Sequence, residues 1–121
     1  MIRQSFQRLK VWQKGIELVD LIYELTATYP KTELFGLTSQ SRRSAVSVPS
    51  NIAEGSQRTT DKDFANFILI AKGSLAELYT QIVIARRRGF LSEDLAKKAY
   101  MQIDELDKML YFFHAKLIAN R

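Results

Sequence analysis

The stretch FGLTSQSRRSAVSVPSNIAEGSQR, Phe35–Arg58, decides how the rest of this chain folds. Phe35-Gly36 turns the chain, and Thr38 or Ser39 is suited to cap the first free backbone N–H groups of a helix that begins there. Small or apolar residues then recur at helical spacing. They are Leu37, Ser41, Ser44 or Ala45, Val48 and Ile52. Because small side chains let a neighbouring helix come close, the pattern predicts a central helix, helix two.

Pro49 lies inside this helical pattern. Proline has no backbone N–H, so the carbonyl of Ala45 loses its helical donor, and we expect helix two to be kinked at Pro49. Asn51 and Glu54 follow one turn apart; they form a polar recognition spot or, the reading we favour, they repair the broken hydrogen bonds. Gly55 loosens the end of the helix. Pro49, Asn51, Glu54 and Gly55 are therefore interpreted as a structural signature.

Three further segments have helical periodicity. Helix one is predicted from Lys10 to Thr28 and ends before Pro30. Helix three begins at a Thr60 or Asp61 cap and closes at Gly89, and helix four begins at Ser92. The predicted core stripe of helix one is Trp12, Ile16, Val19, Ile22 and Tyr23, flanked by Leu18 and Leu25. That of helix three is Phe64, Phe67 or Ile68, Ala71, Ser74 or Leu75, Leu78, Ile82 and Ala85, and that of helix four is Leu95, Ala99, Ile103, Leu106, Leu110, Phe113 and Leu117. Short connections predict one all-α domain over residues 1–121, an antiparallel up-down-up-down four-helix bundle.

Several of these motifs resemble a known family. Besides Pro49–Gly55, they are Leu9–Trp12, Asp61–Phe64, Lys72–Leu78 and Arg86–Leu91. Nearly the whole chain resembles the four-helix bundle proteins named 23S rRNA intervening sequence proteins or ribosomal-protein-like proteins. The resemblance implies an all-α bundle, often assembled as a ring-shaped homopentamer. A family relative, the accessory variability determinant of diversity-generating retroelements, is similar in build and binds nucleic acid and a reverse transcriptase. By analogy, a partner protein such as a reverse transcriptase is a candidate here.

Composition limits the class of protein. With 121 residues, 46% hydrophobic and 11% aromatic, the chain can bury a core as one globular domain. It has no cysteine, which is compatible with the reducing cytoplasm. No apolar run approaches the ~20 residues of a membrane span and no signal peptide is apparent, so we expect a cytoplasmic protein that does not insert into a membrane. The net charge of +5 permits a polyanionic partner.

The sequence offers no catalytic constellation. His114 is the one histidine and has no metal-ligating partners at a suitable spacing. No Gly-x-Ser-x-Gly elbow or glycine-rich phosphate loop occurs. Asp104, Glu105 and Asp107 form an acidic cluster, but a bundle metal site needs Glu-x-x-His motifs that are missing, so a solvated face is the better interpretation. We expect no enzymatic activity, no cofactor and no metal.

Two groups of cations are candidates for nucleic-acid contacts. Arg86, Arg87 and Arg88, with Lys97 and Lys98, could grip a phosphate backbone. Alternatively, the three arginines only oppose the dipole at the end of helix three. The second group is Arg42 and Arg43 on helix two. The alternative for these two is an ion pair, within the helix with Glu54 or with acids of another helix or subunit.

Apolar residues outside the stripes are numerous. They are Phe6, Leu9, Val11, Ile70, Tyr79, Phe90, Met109, Tyr111 and Phe112. Contiguous apolar surface of this kind usually marks an interface, so self-association is predicted. The sequence therefore favours a non-enzymatic, oligomeric binding module that contacts RNA or a ribonucleoprotein through basic surface. The alternative is a structural or protein-interaction oligomer with no nucleic-acid partner.

Overall fold

The computed structural model describes Ile2 and residues 4–119. In this part of the chain it has four long helices, two short 3-10 helices at Ser5–Arg8 and Lys31–Glu33, and no strand. The long helices are α1 (Lys10–Thr26), α2 (Leu37–Ser56), α3 (Asp61–Arg87) and α4 (Glu93–Ala119). The prediction of an all-α fold is confirmed.

Each helix packs against the next in the chain, and α4 returns to α1, where Lys14 Nζ lies 3.4 Å from Glu105 Oε1. The α2–α3 contacts show the antiparallel direction. Ser44 Oγ donates to Glu77 Oε1 (2.6 Å), and one turn further along α2 the hydroxyl of Ser47 meets that of Ser74 (2.8 Å). Residue numbers rise along α2 and fall along α3, as in the predicted up-down-up-down bundle.

The core draws on all four helices. Fully buried large side chains are Leu18, Ile22, Val48, Ile52, Ile68, Leu75, Leu78, Ile82, Leu106 and Leu110. For α3 the predicted stripe is confirmed, with Ile68 and Leu75 as the buried choices at the two ambiguous positions. For α4 the prediction holds except at Leu95, which is 40% exposed because Ala96 takes the buried position in that turn.

The predicted core stripe of α1 is shifted from the observed one: Ile22 is buried and Trp12 and Val19 are half-buried against the core, but Ile16 and Tyr23 are exposed. The buried side of α1 is Val11, Gly15, Leu18, Ile22 and Leu25. Gly15 explains the rotation, because a Cβ at this position would lie 3.3 Å from Pro49 Cβ, so the two helices meet where α1 has no side chain. Trp12, Ile16, Val19 and Tyr23 consequently form a second apolar stripe at the outer edge of α1, half-buried or exposed.

Two helix ends differ from the sequence prediction. Helix α1 ends at Thr26 and not at Thr28. The cap of α2 is Gly36, so the prediction of Thr38 or Ser39 is wrong. The N-terminal amide of α2 is satisfied from outside the helix, since Leu37 N donates to Glu33 Oε1 at 3.2 Å.

Three other helix ends are as predicted. Thr60 caps α3, with its hydroxyl accepting from the backbone N–H of Asp63 at 3.1 Å. Gly89 has φ +79°, a left-handed conformation that glycine adopts without strain, and it ends the turn after α3. Ser92 precedes α4, and its hydroxyl accepts from Leu95 N at 3.2 Å.

Helix α3 is the one described helix that is long and apolar enough to cross a membrane on length and composition alone. The prediction that no apolar run approaches that length is wrong to this extent. Only 33% of its most apolar window is buried in the bundle. Lys72 interrupts the window and pairs with Asp107 of α4 at 2.7 Å. These contacts are those of a core helix with a partly uncovered outer face.

The predicted surplus of exposed apolar residues is present in part. Ile70, Tyr79, Tyr111 and Phe112 are exposed. Val11 is buried, Leu9, Phe90 and Met109 are half-buried against the core, and Phe6 is half-buried beside Trp12. Two residues that the pattern did not single out, Phe35 and Met101, are 94% and 73% exposed.

Candidate nucleic-acid interface

The bundle topology brings the predicted cations to one end of the molecule. The C-termini of α1 and α3 and the N-termini of α2 and α4 share this end, where the Tyr29 and Phe90 rings join the two connections, 6.0 Å between centroids. We name it the basic end. It comprises Arg42, Arg43, Arg86, Arg87, Arg88, Lys97 and Lys98. Sequence reasoning treated these as two groups on separate helices, and the antiparallel topology places both groups at the same end of the bundle.

Arg86, Arg87 and Arg88 are exposed where α3 ends. Arg86 and Arg87 lie in the last turn and Arg88 is the C-cap, a position in which cations also oppose the helix dipole. None of the three forms an ion pair or side-chain hydrogen bond within the described residues. Their guanidinium donors are therefore available to a ligand.

Lys97 and Lys98 are exposed in the second turn of α4, next to the end of α3. They too have no ion-pair partner in the part of the chain that the structure describes. The nearest acids in sequence are Glu93 and Asp94 in the first turn of α4, and these are also exposed. The basic end therefore carries a few carboxylates but keeps an excess of cations.

Arg42 is held by neutral groups. Its Nε donates to Thr26 Oγ1 at 2.9 Å, and its Cζ lies 4.6 Å from the centroid of the Tyr23 ring. Arg43, the next residue, is exposed. The suggested ion pair with Glu54 is wrong, because Glu54 lies at the other end of α2 and pairs with Arg58 at 3.2 Å. The positive charge of Arg42 is thus fixed in place and not neutralised.

Tyr29 lies beneath the basic end. Its side chain is buried, and its hydroxyl has no hydrogen-bond partner among the described residues. Burial, together with a smaller effect of Tyr100, raises the pKa of Tyr29 to about 12. The Tyr29 hydroxyl therefore stays protonated and uncharged at neutral pH, and it does not reduce the positive charge of the basic end.

The structural signature lies away from the basic end, along the second half of α2. Asn51 Nδ2 donates to the carbonyl of Ser47 at 2.8 Å and to its hydroxyl at 3.0 Å, so it satisfies Ser47 and not Ala45. Helix α2 runs through Pro49 as a single element, and a kink there stays a prediction. At Gly55 a Cβ would lie 2.7 Å from Phe67 Cβ and 2.8 Å from Phe64 Cδ1, so only glycine allows this approach. Of the signature positions, Pro49 and Gly55 lie where α2 meets α1 and α3, whereas Asn51 bonds within α2.

We expect Pro49→Ala to destabilise the bundle by roughly 1 kcal/mol or more. Pro49 is buried against Gly15 of α1, and alanine both removes ring atoms from that contact and restores a backbone N–H. Chemical denaturation measures the change. If the variant is as stable as the wild type and has the same oligomeric state, the proline has no structural role.

No catalytic or metal-binding arrangement is seen in the described residues. No group of three or more potential metal ligands occurs among them. His114 is half-buried on α4. Of the acidic cluster, Glu105 pairs with Lys14 and Asp107 pairs with Lys72, which fits the expected solvated face.

Comparison with known proteins identifies the family. The model of the 23S rRNA-intervening sequence protein family matches residues 7–112. The chain belongs to this family. The match confirms the resemblance seen in the sequence, whereas the link to retroelement proteins stays a prediction.

A solved structure supports the fold of this 23S rRNA-intervening sequence protein. It is the crystal structure of a protein with unknown function from the S23 ribosomal protein family of Bacteroides thetaiotaomicron. The two are 22% identical, the match covers 86% of this chain and 97% of the other, and the TM-score is 0.77. No curated protein has significant sequence similarity to this chain. Since neither comparison names an enzymatic activity, the basic end is what suggests a function.

Proposed function

We propose that this protein is a non-enzymatic, oligomeric binding module that holds RNA or a ribonucleoprotein at its basic end. The observation that carries the proposal is the convergence of arginines and lysines from α2, α3 and α4 on one end of the bundle without ion-pair partners among the described residues. Unpaired cations that share one surface attract a polyanion.

The chemistry of these side chains favours phosphate contacts. A guanidinium presents several N–H donors in a plane that matches two phosphate oxygens, and its charge persists at any physiological pH. Contacts to phosphate fix position and carry no base sequence, so RNA binding is expected to be weakly sequence-selective. The name of the family, which refers to 23S rRNA, fits a ligand of this kind.

Oligomerisation is part of the proposal. Trp12, Ile16 and Val19 of the outer stripe, together with the uncovered face of α3, leave more apolar surface than a monomer needs. A homopentamer is proposed from the family resemblance. In a ring each basic end is repeated, so weak contacts add by multivalency. Light scattering is then expected to give several times 13.9 kDa, and a monomer at tens of micromolar would exclude it.

The second candidate function is a protein scaffold in the cytoplasm with no nucleic-acid ligand. It is favoured by exposed apolar side chains on α4, Met101, Tyr111 and Phe112, which suit a protein partner. A reverse transcriptase is the partner that the resemblance suggests.

Affinity capture from native lysate, with and without nuclease, separates the two functions. If RNA is the ligand, the captured material contains RNA, and nuclease removes the co-purifying proteins with it. Partners that persist unchanged after nuclease treatment, with no RNA recovered, would reject the RNA proposal in favour of the scaffold.

A further inference from the structure

Among the described residues, Phe35 is the most exposed large apolar side chain, and it lies at the basic end. It lies in the turn between the second 3-10 helix and α2 and is 94% exposed. Single exposed apolar residues are normal on protein surfaces. Phe35, however, is not isolated, because Leu34 (49% exposed) and Tyr23 (45% exposed) lie beside the same surface depression.

This depression combines aromatic and cationic side chains. It has a volume of about 470 Å³ and opens broadly to solvent. Its walls are Tyr23, Leu34, Phe35, Thr38, Ser39, Arg42, Arg43 and Val46. Two rings, two guanidinium groups and two hydroxyls therefore surround one open site.

The guanidinium of Arg42 is already oriented for a ligand. Its hydrogen bond to Thr26 uses Nε alone, and Thr26 Oγ1 is itself fixed by donating to the carbonyl of Ile22 at 2.6 Å. The terminal nitrogens of Arg42 have no hydrogen-bond partner among the described residues. Because the bond to Thr26 and the contact with the Tyr23 ring already hold the side chain, little side-chain entropy is lost when it meets a phosphate.

Aromatic rings beside unpaired arginines recognise unpaired nucleotides. A base that is not in a duplex offers a free face to a Phe or Tyr ring, and the adjoining phosphates reach the cations. A duplex keeps its bases stacked internally and cannot use an exposed phenyl ring in this way. A protein interface fits less well, since it would bury two arginines that form no ion pair among the described residues.

We propose that Phe35, with Tyr23, Arg42 and Arg43, forms a stacking site for an unpaired base, which gives the basic end a preference for single-stranded over duplex RNA. This inference rests on the proposed function and specifies its substrate class. The phenyl ring of Phe35 supplies the stacking face, and Arg42 and Arg43 bind the phosphates on either side.

The test compares Phe35→Ala with the wild type on two probes, an oligouridylate of about 12 nucleotides and an RNA duplex of similar length. Loss of one base stack is expected to weaken oligouridylate binding by about 5- to 100-fold and to leave duplex binding unchanged. Phe35→Trp keeps a stacking face and should retain the affinity. Phe112→Ala, which removes an exposed phenylalanine near the C-terminal end of α4, away from the basic end, is the matched control and should change neither probe.

Three results would overturn the stacking site. Unchanged oligouridylate binding by Phe35→Ala, or an equal loss on both probes, would show that Phe35 does not stack on a base. Dissociation of the oligomer on light scattering would show that Phe35 belongs to a protein interface. Failure of the wild type to bind either probe would instead reject the proposed function itself, so the two failures are distinguishable. Because Phe35 is almost fully exposed, its removal takes no packing from the core.

Discussion

Replacing Arg86, Arg87 and Arg88 together by glutamate is expected to abolish RNA binding while the bundle and its assembly persist. The three side chains are exposed and unpaired, so reversal turns three attractive phosphate contacts into repulsive ones. We expect affinity at low salt to fall on the order of 100-fold or more. Fluorescence anisotropy with labelled RNA measures the loss. Circular dichroism checks folding, because acids at a helix C-terminus cost about 0.3–1 kcal/mol each.

The control for this experiment must be remote from the basic end. Lys31 is unsuitable, because the structure places it in the α1–α2 connection at the same end. Lys62, exposed in the first turn of α3, lies at the opposite end and is the better control. Lys62→Glu should leave RNA binding nearly unchanged. Equal losses in Lys62→Glu and in the triple variant would mean that net charge, and not the basic end, determines binding.

The second large effect is expected at Gly55, where alanine should destabilise the protein although alanine is the better helix former. The new Cβ would lie 2.7 Å from Phe67 Cβ and 2.8 Å from Phe64 Cδ1, so α2 and α3 must move apart. Overpacking of this kind costs about 1–3 kcal/mol, or roughly 4–12 °C in Tm.

Gly73→Ala is the matched control for Gly55→Ala. Gly73 lies in the middle of α3, and a Cβ there would meet nothing within 4 Å. The intrinsic preference of a helix for alanine then acts alone and should stabilise the protein by about 0.5–1 kcal/mol. Thermal unfolding at one fixed protein concentration compares the two. Stabilisation by both substitutions would show that α2 and α3 do not pack as closely at Gly55 as the structure has it.

The core stripes of α3 and α4 are predicted correctly except at Leu95, although α3 also carries exposed apolar residues such as Leu69, Ile70 and Ile84 on its outer face. Helix α1 carries two apolar stripes, and periodicity alone does not tell which one faces the core. Gly15 determines which stripe faces the core, because the absence of a side chain there leaves space for Pro49. Glycine adds no apolar side chain to the sequence pattern, so the pattern does not show that α1 faces the core at Gly15. The stripe that contains Trp12 and Tyr23 was therefore chosen in error.

The cations of the candidate site could be predicted from the sequence, but their convergence could not. Arg42 and Arg86 are far apart in the chain and meet at one end only because α2 and α3 are antiparallel. Phe35 was interpreted as half of a turn signal. Its exposure depends on how the second 3-10 helix joins α2, which a local pattern does not encode. Sequence reasoning therefore missed the aromatic part of the site.

A salt titration of single-stranded RNA binding to the intact protein tests whether RNA binds at the basic end through phosphate contacts. If RNA binds in this way, binding is measurable at low salt. The logarithm of affinity then falls linearly with the logarithm of salt concentration, and the slope is about −0.7 for each phosphate neutralised. The proposed function also predicts that the Arg86, Arg87 and Arg88 reversal flattens this line. No retention of RNA at low salt, or an affinity that does not respond to salt, would contradict the account and leave the protein-scaffold function in its place.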